Sequence, residues 1–120
     1  MRPTVLIVDD HAGFRRMARR MLEVDGFDVV AEAIDAAGAL AAVHEHRPQL
    51  VLLDVQLPDL DGFAVAEALA LDAFPPVVIL TSSRSASDYG SRVGRSPAQG
   101  FVPKADLSGP ALAELFDAVE

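Results

Sequence analysis

The chain has 120 residues, 51% of them hydrophobic, which is enough for one domain with a buried core and predicts a single domain over residues 1–120. Its net charge of −8, from 18 acidic and 10 basic residues, argues against direct binding to nucleic acid, so proteins or cations are the expected partners. The absence of cysteine excludes a disulfide framework and a thiolate metal site, and residues 1–10 fit neither a signal peptide nor a membrane span. We therefore predict a soluble, cytoplasmic protein that does not bind membranes.

Short apolar runs recur along the chain and are typical of β-strands that are buried on both faces of a parallel sheet. These runs lie at residues 5–8, 50–53, 77–80 and 101–102. Residues 28–32 alternate more between polar and apolar side chains and therefore suit an edge strand. Pro103 also favours an edge, because proline cannot donate a hydrogen bond to a central ladder.

Helical patterns separate these runs, and strands that alternate with helices predict a doubly wound α/β sheet with helices on both faces. The side chains predicted to face the core are Phe14, Met17, Met21 and Leu22 in the first helix, Ala37, Leu40, Ala41 and His44 in the second, Phe63, Ala66 and Leu69 in the third, and Leu112, Leu115, Phe116 and Val119 in the last. Gly26 is expected just after the first helix, and Asp61 and Ser108 are expected to cap the third and the last.

Residues 82–100 differ from the other connections. They contain six serines, three glycines and Pro97, and only Ala86, Tyr89 and Val93 form an apolar stripe. Glycine and proline destabilise a helix interior. Any helix in this segment is therefore expected to be short.

Polar residues stand at the ends of the predicted strands. They are Asp9 and Asp10 after the first strand, Asp54 after the third, Thr81 and Ser82 after the fourth, and Lys104 after the fifth. The carboxyl ends of parallel strands meet at one edge of the sheet, where proteins of this class bind ligands. We therefore predict that these residues form one site.

The predicted site contains three carboxylates and one ammonium group. Two carboxylates about 4 Å apart repel each other by about 4 kcal/mol at an effective dielectric constant near 20, so a divalent cation would stabilise the group. The candidate ligands are oxygen atoms, which favours Mg²⁺, with Mn²⁺ as a substitute, over zinc or copper. Asp54 is the candidate nucleophile, because a carboxylate can attack phosphorus when Lys104 and Thr81 donate to the developing charge. Taken singly, each residue is also typical of a turn or a cap.

These motifs resemble those of the response regulator receiver family, which is typified by the chemotaxis switch protein. The likeness covers the whole chain. It rests on residues 5–10 with their acidic pair, residues 52–58 around Asp54, Asp61 with Gly62, residues 77–82, and residues 100–104. The resemblance implies a flavodoxin-like sheet of five parallel strands in the order 2-1-3-4-5.

The resemblance also implies a role for each site residue. Asp54 resembles the phosphorylated aspartate, Asp10 a direct Mg²⁺ ligand, Asp9 a ligand that acts largely through water, and the Gln56 backbone carbonyl a further ligand. Thr81 resembles the hydroxyl that moves to the phosphoryl group, Lys104 the contact to a phosphoryl oxygen, and Phe101 the aromatic side chain that swings inward.

The partners implied by the family are a sensor histidine kinase or a phosphotransfer protein as phosphoryl donor, with small acyl phosphates as substitutes. The domain would be a signalling module that assists its own phosphoryl transfer and dephosphorylation, not an enzyme with an external substrate. Phosphorylation would change the surface of the fourth helix, fifth strand and fifth helix. That surface would contact a downstream protein or an output domain, and a homodimer through it is left open.

Some residues depart from the family pattern or are not assigned a role. Ala105 follows Lys104 where the family usually has proline, so the shape of that loop is not predicted. Gln56 and Ser83 flank the acceptor, where side chains tune the lifetime of the phosphoryl bond. His11 is expected to be solvated, and His44 and His46 favour the end of the second helix. Four arginines of the first helix, Arg15, Arg16, Arg19 and Arg20, are expected to form a solvated face or to contact the phosphodonor.

Three other functions were weighed. A phosphatase of the haloacid dehalogenase type would carry a second aspartate two residues after the nucleophile, where this chain has Gln56. A receiver that only binds proteins is disfavoured by the complete set of acidic, hydroxyl and ammonium groups. A nucleotide-binding domain is disfavoured because no glycine-rich phosphate-binding motif occurs. The chain is expected to lack an output domain, as a stand-alone regulator or as the receiver part of a transcription factor.

Overall fold

The computed structural model describes residues 2–119, so Met1 and Glu120, the ends of the predicted domain, lie outside the described residues. Five strands alternate with five helices. They are β1 (Thr4–Val8), α1 (Ala12–Val24), β2 (Asp28–Ala33), α2 (Ala36–His46), β3 (Leu50–Asp54), α3 (Gly62–Ala70), β4 (Val77–Ser82), α4 (Arg92–Arg95), β5 (Gly100–Pro103) and α5 (Gly109–Val119). Single 3₁₀ turns cover Ala86–Tyr89 and Lys104–Asp106.

The strands form one parallel sheet in the order β2-β1-β3-β4-β5. The predicted fold class and strand order are therefore confirmed. The two strands predicted to suit an edge, β2 and β5, are the edge strands, and Pro103 is the last residue of β5. Asp54 lies directly opposite Thr81 in the register of β3 and β4, at the carboxyl edge of the sheet.

The core lies on both faces of the sheet. Alternate side chains of the central strands point to opposite faces, so that Leu6 and Val51 pack in one apolar cluster while Ile7 and Leu52 pack in the other. All four are fully buried. Burial on both sides explains why these strands read as continuous apolar runs without polar alternation.

The predicted helix faces are partly wrong. The stripe assigned to α3 is buried, but α2 buries Ala36, Ala39 and Val43 instead of the predicted set, and its Leu40 is exposed. Five of the eleven residues of α2 are alanine, so its composition distinguishes one face from the next only weakly. In α1 and α5, the predicted core residues Met17 and Val119 are exposed at the margins of otherwise correct faces.

The predicted helix ends are confirmed. The Asp61 side chain accepts a hydrogen bond from Ala64 N–H at the start of α3, and Ser108 Oγ accepts one from Ala111 N–H at the start of α5. Gly26 follows α1 with a φ of 90°, in the left-handed region that glycine adopts without strain.

Residues 83–99 contain only the 3₁₀ turn and the four-residue α4, as the many serines and glycines predict. Tyr89, Val93 and Ala98 are its partly buried residues that pack against the core. Within residues 2–119, no helix has both the length and the apolar character that a membrane crossing requires.

Candidate functional site

The carboxyl edge of the sheet brings charged side chains from three strand ends together. Asp9 follows β1, Asp54 ends β3, and Lys104 follows β5. Lys104 Nζ lies 2.7 Å from Asp9 Oδ2 and 3.7 Å from Asp54 Oδ2. One ammonium group therefore contacts two carboxylates that belong to different strands.

Asp9 is fully buried, and its two carboxylate oxygens have different surroundings. Oδ1 accepts a hydrogen bond of 2.8 Å from the backbone N–H of His11. Oδ2 is close to Lys104 Nζ, but the contact lacks hydrogen-bond geometry, so this oxygen has an ion-pair partner and no hydrogen-bond donor. A buried anionic oxygen without a hydrogen-bond donor is costly, and Lys104 shares its single charge between Asp9 and Asp54, so a further cation beside Oδ2 would lower that cost.

Asp54 is 3% exposed, and burial raises the pKa of its carboxyl group from 3.8 to about 6. The hydrogen bond from the backbone N–H of Gln56 lowers this pKa, the charge of Asp9 raises it, and the charge of Lys104 lowers it. The raised pKa means that the folded protein disfavours the charged form of Asp54. A perturbed carboxyl group beside a specific charge partner is typical of a functional site.

Potential metal ligands surround this pair. Carboxylate oxygens of Asp9, Asp10 and Asp54 and a ring nitrogen of His11 all lie within 4.8 Å of one another. Asp9 and Asp54 are buried and Asp10 is exposed, so the group opens to solvent on one side. Three carboxylates, one of which has a buried oxygen without a hydrogen-bond donor, fit Mg²⁺. This ion takes oxygen ligands and keeps part of its water.

The loop between β3 and α3 is folded tightly under Asp54. Gln56 forms an isolated antiparallel bridge with Asp61, and Gly62 N–H donates to the Val55 carbonyl oxygen at 2.7 Å. A Cβ atom on Gly62 would lie 2.8 Å from Val55 Cα and would also clash with the Asp54 carbonyl oxygen. Glycine is therefore required here for the backbone to approach the end of β3 so closely.

Thr81 is fully buried in β4, and its hydroxyl donates a 2.7 Å hydrogen bond to the Val102 carbonyl oxygen of β5. The hydroxyl therefore has a partner within the sheet in this conformation. Lys104 reaches Asp9 from the 3₁₀ turn that follows β5, although Ala105 replaces the usual proline, and no cis peptide bond occurs among residues 2–119. Its ammonium group also lies 4.4 Å from the centroid of the Phe14 ring.

An aromatic cluster connects β5 to the segment before α4. Tyr89 packs edge-on against Phe63 at 5.5 Å and against Phe101 at 5.9 Å between ring centroids, and its hydroxyl lies 2.6 Å from Ser82 Oγ. Phe101 is partly buried. The sequence indicated Tyr89 only as part of an apolar stripe, because its ring partners Phe63 and Phe101 belong to other elements of the chain.

The position of His11 refines the expectation that this residue is solvated. The side chain of His11 is 72% exposed, as expected, yet its Nδ1 lies 3.1 Å from Asp10 Oδ1, which places it at the rim of the acidic cluster.

The four arginines of α1 are not equivalent. Arg15 and Arg19 form ion pairs with Glu32 of β2, at 3.0 and 2.8 Å, whereas Arg16 and Arg20 are exposed. Burial raises the pKa of Glu32, but the hydrogen bonds from Arg19 and Arg15 outweigh it, and the net shift is downward. Of these four arginines, Arg16 and Arg20 therefore present the exposed basic side chains.

Comparison with known proteins places the chain in a family. A family model described as a response regulator receiver domain matches residues 5–115. The DNA-binding response regulator MtrA of Mycobacterium tuberculosis is 41% identical over 88 residues, which cover 73% of this chain and 38% of MtrA. The transcriptional regulatory protein PrrA of Mycobacterium bovis is 41% identical over 87 residues, which cover 72% of this chain and 37% of PrrA. The matched part of the chain thus covers less than half the length of each of these relatives.

Solved structures show the same fold. A two-component response regulator of the LuxR family from an Aurantimonas species matches with a TM-score of 0.86 and 26% identity, over 99% of this chain and 85% of that chain. The chemotaxis response regulator CheY4 of Vibrio cholerae matches with a TM-score of 0.82 and 24% identity over the full length of both chains, which is evidence for the fold alone. The family model matches residues 5–115, and the parallel sheet and the acidic cluster agree with it, so the chain belongs to the family of response regulator receiver domains.

Proposed function

We propose that this receiver domain accepts a phosphoryl group on Asp54 from the phosphohistidine of a sensor histidine kinase or a phosphotransfer protein. The observation that supports this most directly is the position of Lys104, whose ammonium group lies 3.7 Å from Asp54 Oδ2 and 2.7 Å from Asp9 Oδ2. Phosphorylation adds negative charge at Asp54. A cation already positioned beside the acceptor stabilises that charge as it develops.

The transfer is a direct displacement. An Asp54 carboxylate oxygen forms a bond to phosphorus while the bond between phosphorus and the donor imidazole nitrogen breaks. That nitrogen keeps the electron pair, and the imidazole leaves as a neutral ring because its other nitrogen carries a proton. The product on Asp54 is an acyl phosphate. Since the pKa of Asp54 is about 6, this carboxyl group is ionised, and therefore nucleophilic, in most molecules at neutral pH.

Asp9, Asp10, Asp54 and the backbone carbonyl of Gln56 are the groups that would hold Mg²⁺ in this proposal. The bound ion supplies positive charge that offsets the repulsion among the carboxylates and the charge of the acyl phosphate. The buried Asp9 Oδ2 without a hydrogen-bond donor supports this assignment.

The proposed change at the surface of α4, β5 and α5 begins with the contacts of Thr81 and Lys104. In the proposal, both side chains bond the phosphoryl group of Asp54, so the Thr81 hydroxyl gives up its bond to the Val102 carbonyl. Phe101 then moves inward, and the surface of α4, β5 and α5 changes. A phosphoryl group shifts this equilibrium only by the difference in its contacts with the two conformations. The changed surface would contact a downstream protein, a second copy or an output domain.

The exposed Arg16 and Arg20 of α1 are the proposed contact for the phosphodonor. They lie on the helix that begins directly after His11, which is itself a member of the acidic cluster. An acidic surface on the donor would be attracted to them, which affects mainly the rate of association.

The test is intact-mass analysis after incubation with acetyl phosphate and Mg²⁺. Wild type is expected to gain one phosphoryl adduct, and this adduct should be absent when the metal is chelated and in Asp54→Asn. Asp28→Asn is a matched control, because Asp28 is an exposed aspartate at the amino end of β2. It should be phosphorylated like wild type.

Two outcomes would contradict the proposal. An unchanged wild-type mass, with the protein folded, would favour a receiver that acts only by binding other proteins. Continuous release of phosphate without an Asp54 adduct would favour a phosphatase.

A further inference from the structure

Asp59 connects the acceptor loop to helix α2. It is an exposed residue between β3 and α3, five positions after Asp54. Its Oδ1 accepts a 2.8 Å hydrogen bond from the backbone N–H of Ala36, and its Oδ2 accepts one of 3.0 Å from Ala37. Oδ1 also accepts the N–H of Leu60 at 3.0 Å. One carboxylate therefore holds the first turn of α2 and its own loop.

These contacts are more than an ordinary helix cap. The N-cap residue of α2 is Asp35, whose side chain accepts the N–H of Gly38 at 2.7 Å. Asp35 belongs to the same segment as the helix, so its bond stabilises only the helix start. Asp59 comes from a loop 22 and 23 residues away along the chain from the two groups it binds. Its bonds therefore restrain that loop relative to α2.

The restrained loop carries the groups next to the acceptor. Its two ends are fixed by backbone bonds, from Val55 N–H to the Thr81 carbonyl and from Gly62 N–H to the Val55 carbonyl. Gln56 N–H donates to Asp54 Oδ1 at 3.2 Å. Between these fixed points, residues 58–60 are exposed, and Asp59 supplies side-chain hydrogen bonds from this stretch to another element.

The charge of Asp59 suits this role. Hydrogen bonds from backbone N–H groups, above all that of Ala36, hold the pKa of Asp59 below its usual value despite partial desolvation. The carboxylate also faces the positive end of the α2 macrodipole.

We propose that Asp59 is a positioning residue for the cation site. By fastening the loop to α2, it adds to the Gln56–Asp61 bridge and the Gln56–Asp54 hydrogen bond in holding the Gln56 backbone before Mg²⁺ arrives, so that less ordering is needed on binding. This inference rests on the proposed function, because it assumes that Gln56 is a ligand. It assigns Asp59 no contact with the ion or the phosphoryl group.

The experiment compares Asp59→Ala with Asp35→Ala. Both variants remove one carboxylate and hydrogen bonds to N–H groups at the start of α2, so they are matched in charge and in the helix end that they affect. Only Asp59→Ala releases the loop. Mg²⁺ affinity is measured by isothermal titration calorimetry with MgCl₂ as the only probe. Hydrogen exchange of residues 55–61 is followed in the metal-free protein.

Asp59→Ala is expected to weaken Mg²⁺ binding about tenfold, the lower end of the effect of groups that orient metal ligands. Exchange of residues 55–61 should become faster. Asp35→Ala should leave Mg²⁺ affinity within about twofold of wild type, as expected for a change that spares the ligands. At saturating Mg²⁺, phosphorylation of Asp59→Ala by acetyl phosphate should return close to the wild-type rate. Asp59→Asn, which keeps one acceptor oxygen, should lie between wild type and Asp59→Ala and serves if the alanine variant does not fold.

Equal Mg²⁺ affinity in wild type and Asp59→Ala would overturn the inference while leaving the proposed function intact. Equal weakening in Asp35→Ala and Asp59→Ala would overturn it as well, because the effect would then come from charge or from the helix. Failure of wild type itself to bind Mg²⁺ or accept phosphate would instead remove the proposed function on which the inference depends.

Discussion

Residues 2–82 and residues 83–99 are held in place by different forces. In the first region, the central strands are fully buried between helices of 13, 11 and 9 residues. In the second, a 3₁₀ turn and a four-residue helix contain no buried residue. Apolar burial is the main source of stability in folded proteins, so the second region has little of its own. The same segment precedes the edge strand that carries Phe101.

The second region is held to the rest of the domain by the contacts of a few side chains. Tyr89 packs edge-on between Phe63 and Phe101, and its hydroxyl is hydrogen-bonded to Ser82 Oγ. Arg92 forms a 2.7 Å ion pair with Asp61 and lies 4.4 Å above the Phe63 ring. Burial raises the pKa of Asp61, but the hydrogen bond from Arg92 contributes to a net downward shift. The difference between the regions shows that a segment without buried residues can be held in place by a few specific side-chain contacts.

The largest expected effect separates the two regions directly. Leu52 is fully buried in β3, so Leu52→Ala should lower the free energy of unfolding by about 2–5 kcal/mol through lost transfer energy and a cavity. Val93 of α4 is only partly buried, and Val93→Ala should cost about 1 kcal/mol or less. Urea unfolding followed by circular dichroism measures both. Similar losses in the two variants would show that the second region contributes as much stability as the first.

The next effect tests whether the buried Asp54 makes the stability of the first region depend on pH. The pKa of Asp54 in the folded protein is about 6, above its ordinary value of 3.8. The folded state therefore binds this proton more tightly, and the resulting stability is present below about pH 4 and lost as the pH rises through about 6. Without metal, Asp54→Asn should be more stable than wild type at about pH 8 by about 1–2 kcal/mol, allowing for solvent screening on the open side of the site.

The measurement is the difference in unfolding free energy between Asp54→Asn and wild type as a function of pH. The difference should vanish near pH 4, and Mg²⁺ should reduce it at high pH by stabilising wild type only. A constant difference across this range would contradict the assigned pKa shift.

The smallest effect concerns the contacts of the second region. Tyr89→Phe keeps the ring between Phe63 and Phe101 and removes the hydroxyl that lies 2.6 Å from Ser82 Oγ. The loss of one neutral hydrogen bond should cost about 1 kcal/mol. Hydrogen exchange should become faster in residues 83–99, while amides of β3 exchange as in wild type. Equal acceleration in β3 would mean that the two regions unfold as one unit.

Much of the fold could be predicted from the sequence, because burial on both faces leaves a continuous apolar run and the sheet edges are indicated by alternation and by Pro103. The buried face of α2 could not, because an alanine-rich helix has nearly uniform hydrophobicity around its axis. At the site, the positions of Asp9, Asp54 and Lys104 at strand ends were sufficient to predict that they meet. The link from Asp59 to α2 and the position of Tyr89 between two rings had no local signal.

The sequence by itself determined the order of strands and helices, the parallel sheet and the collection of acidic and basic groups at one of its edges. These features depend on residue type and on short periods along the chain, which backbone geometry converts directly into structure. The tertiary structure alone decided which oxygen of Asp9 lacks a donor, which arginines of α1 are free of Glu32, and how the acceptor loop is fastened to α2. Those features depend on distances between segments that are far apart in the chain, which only the packed fold establishes.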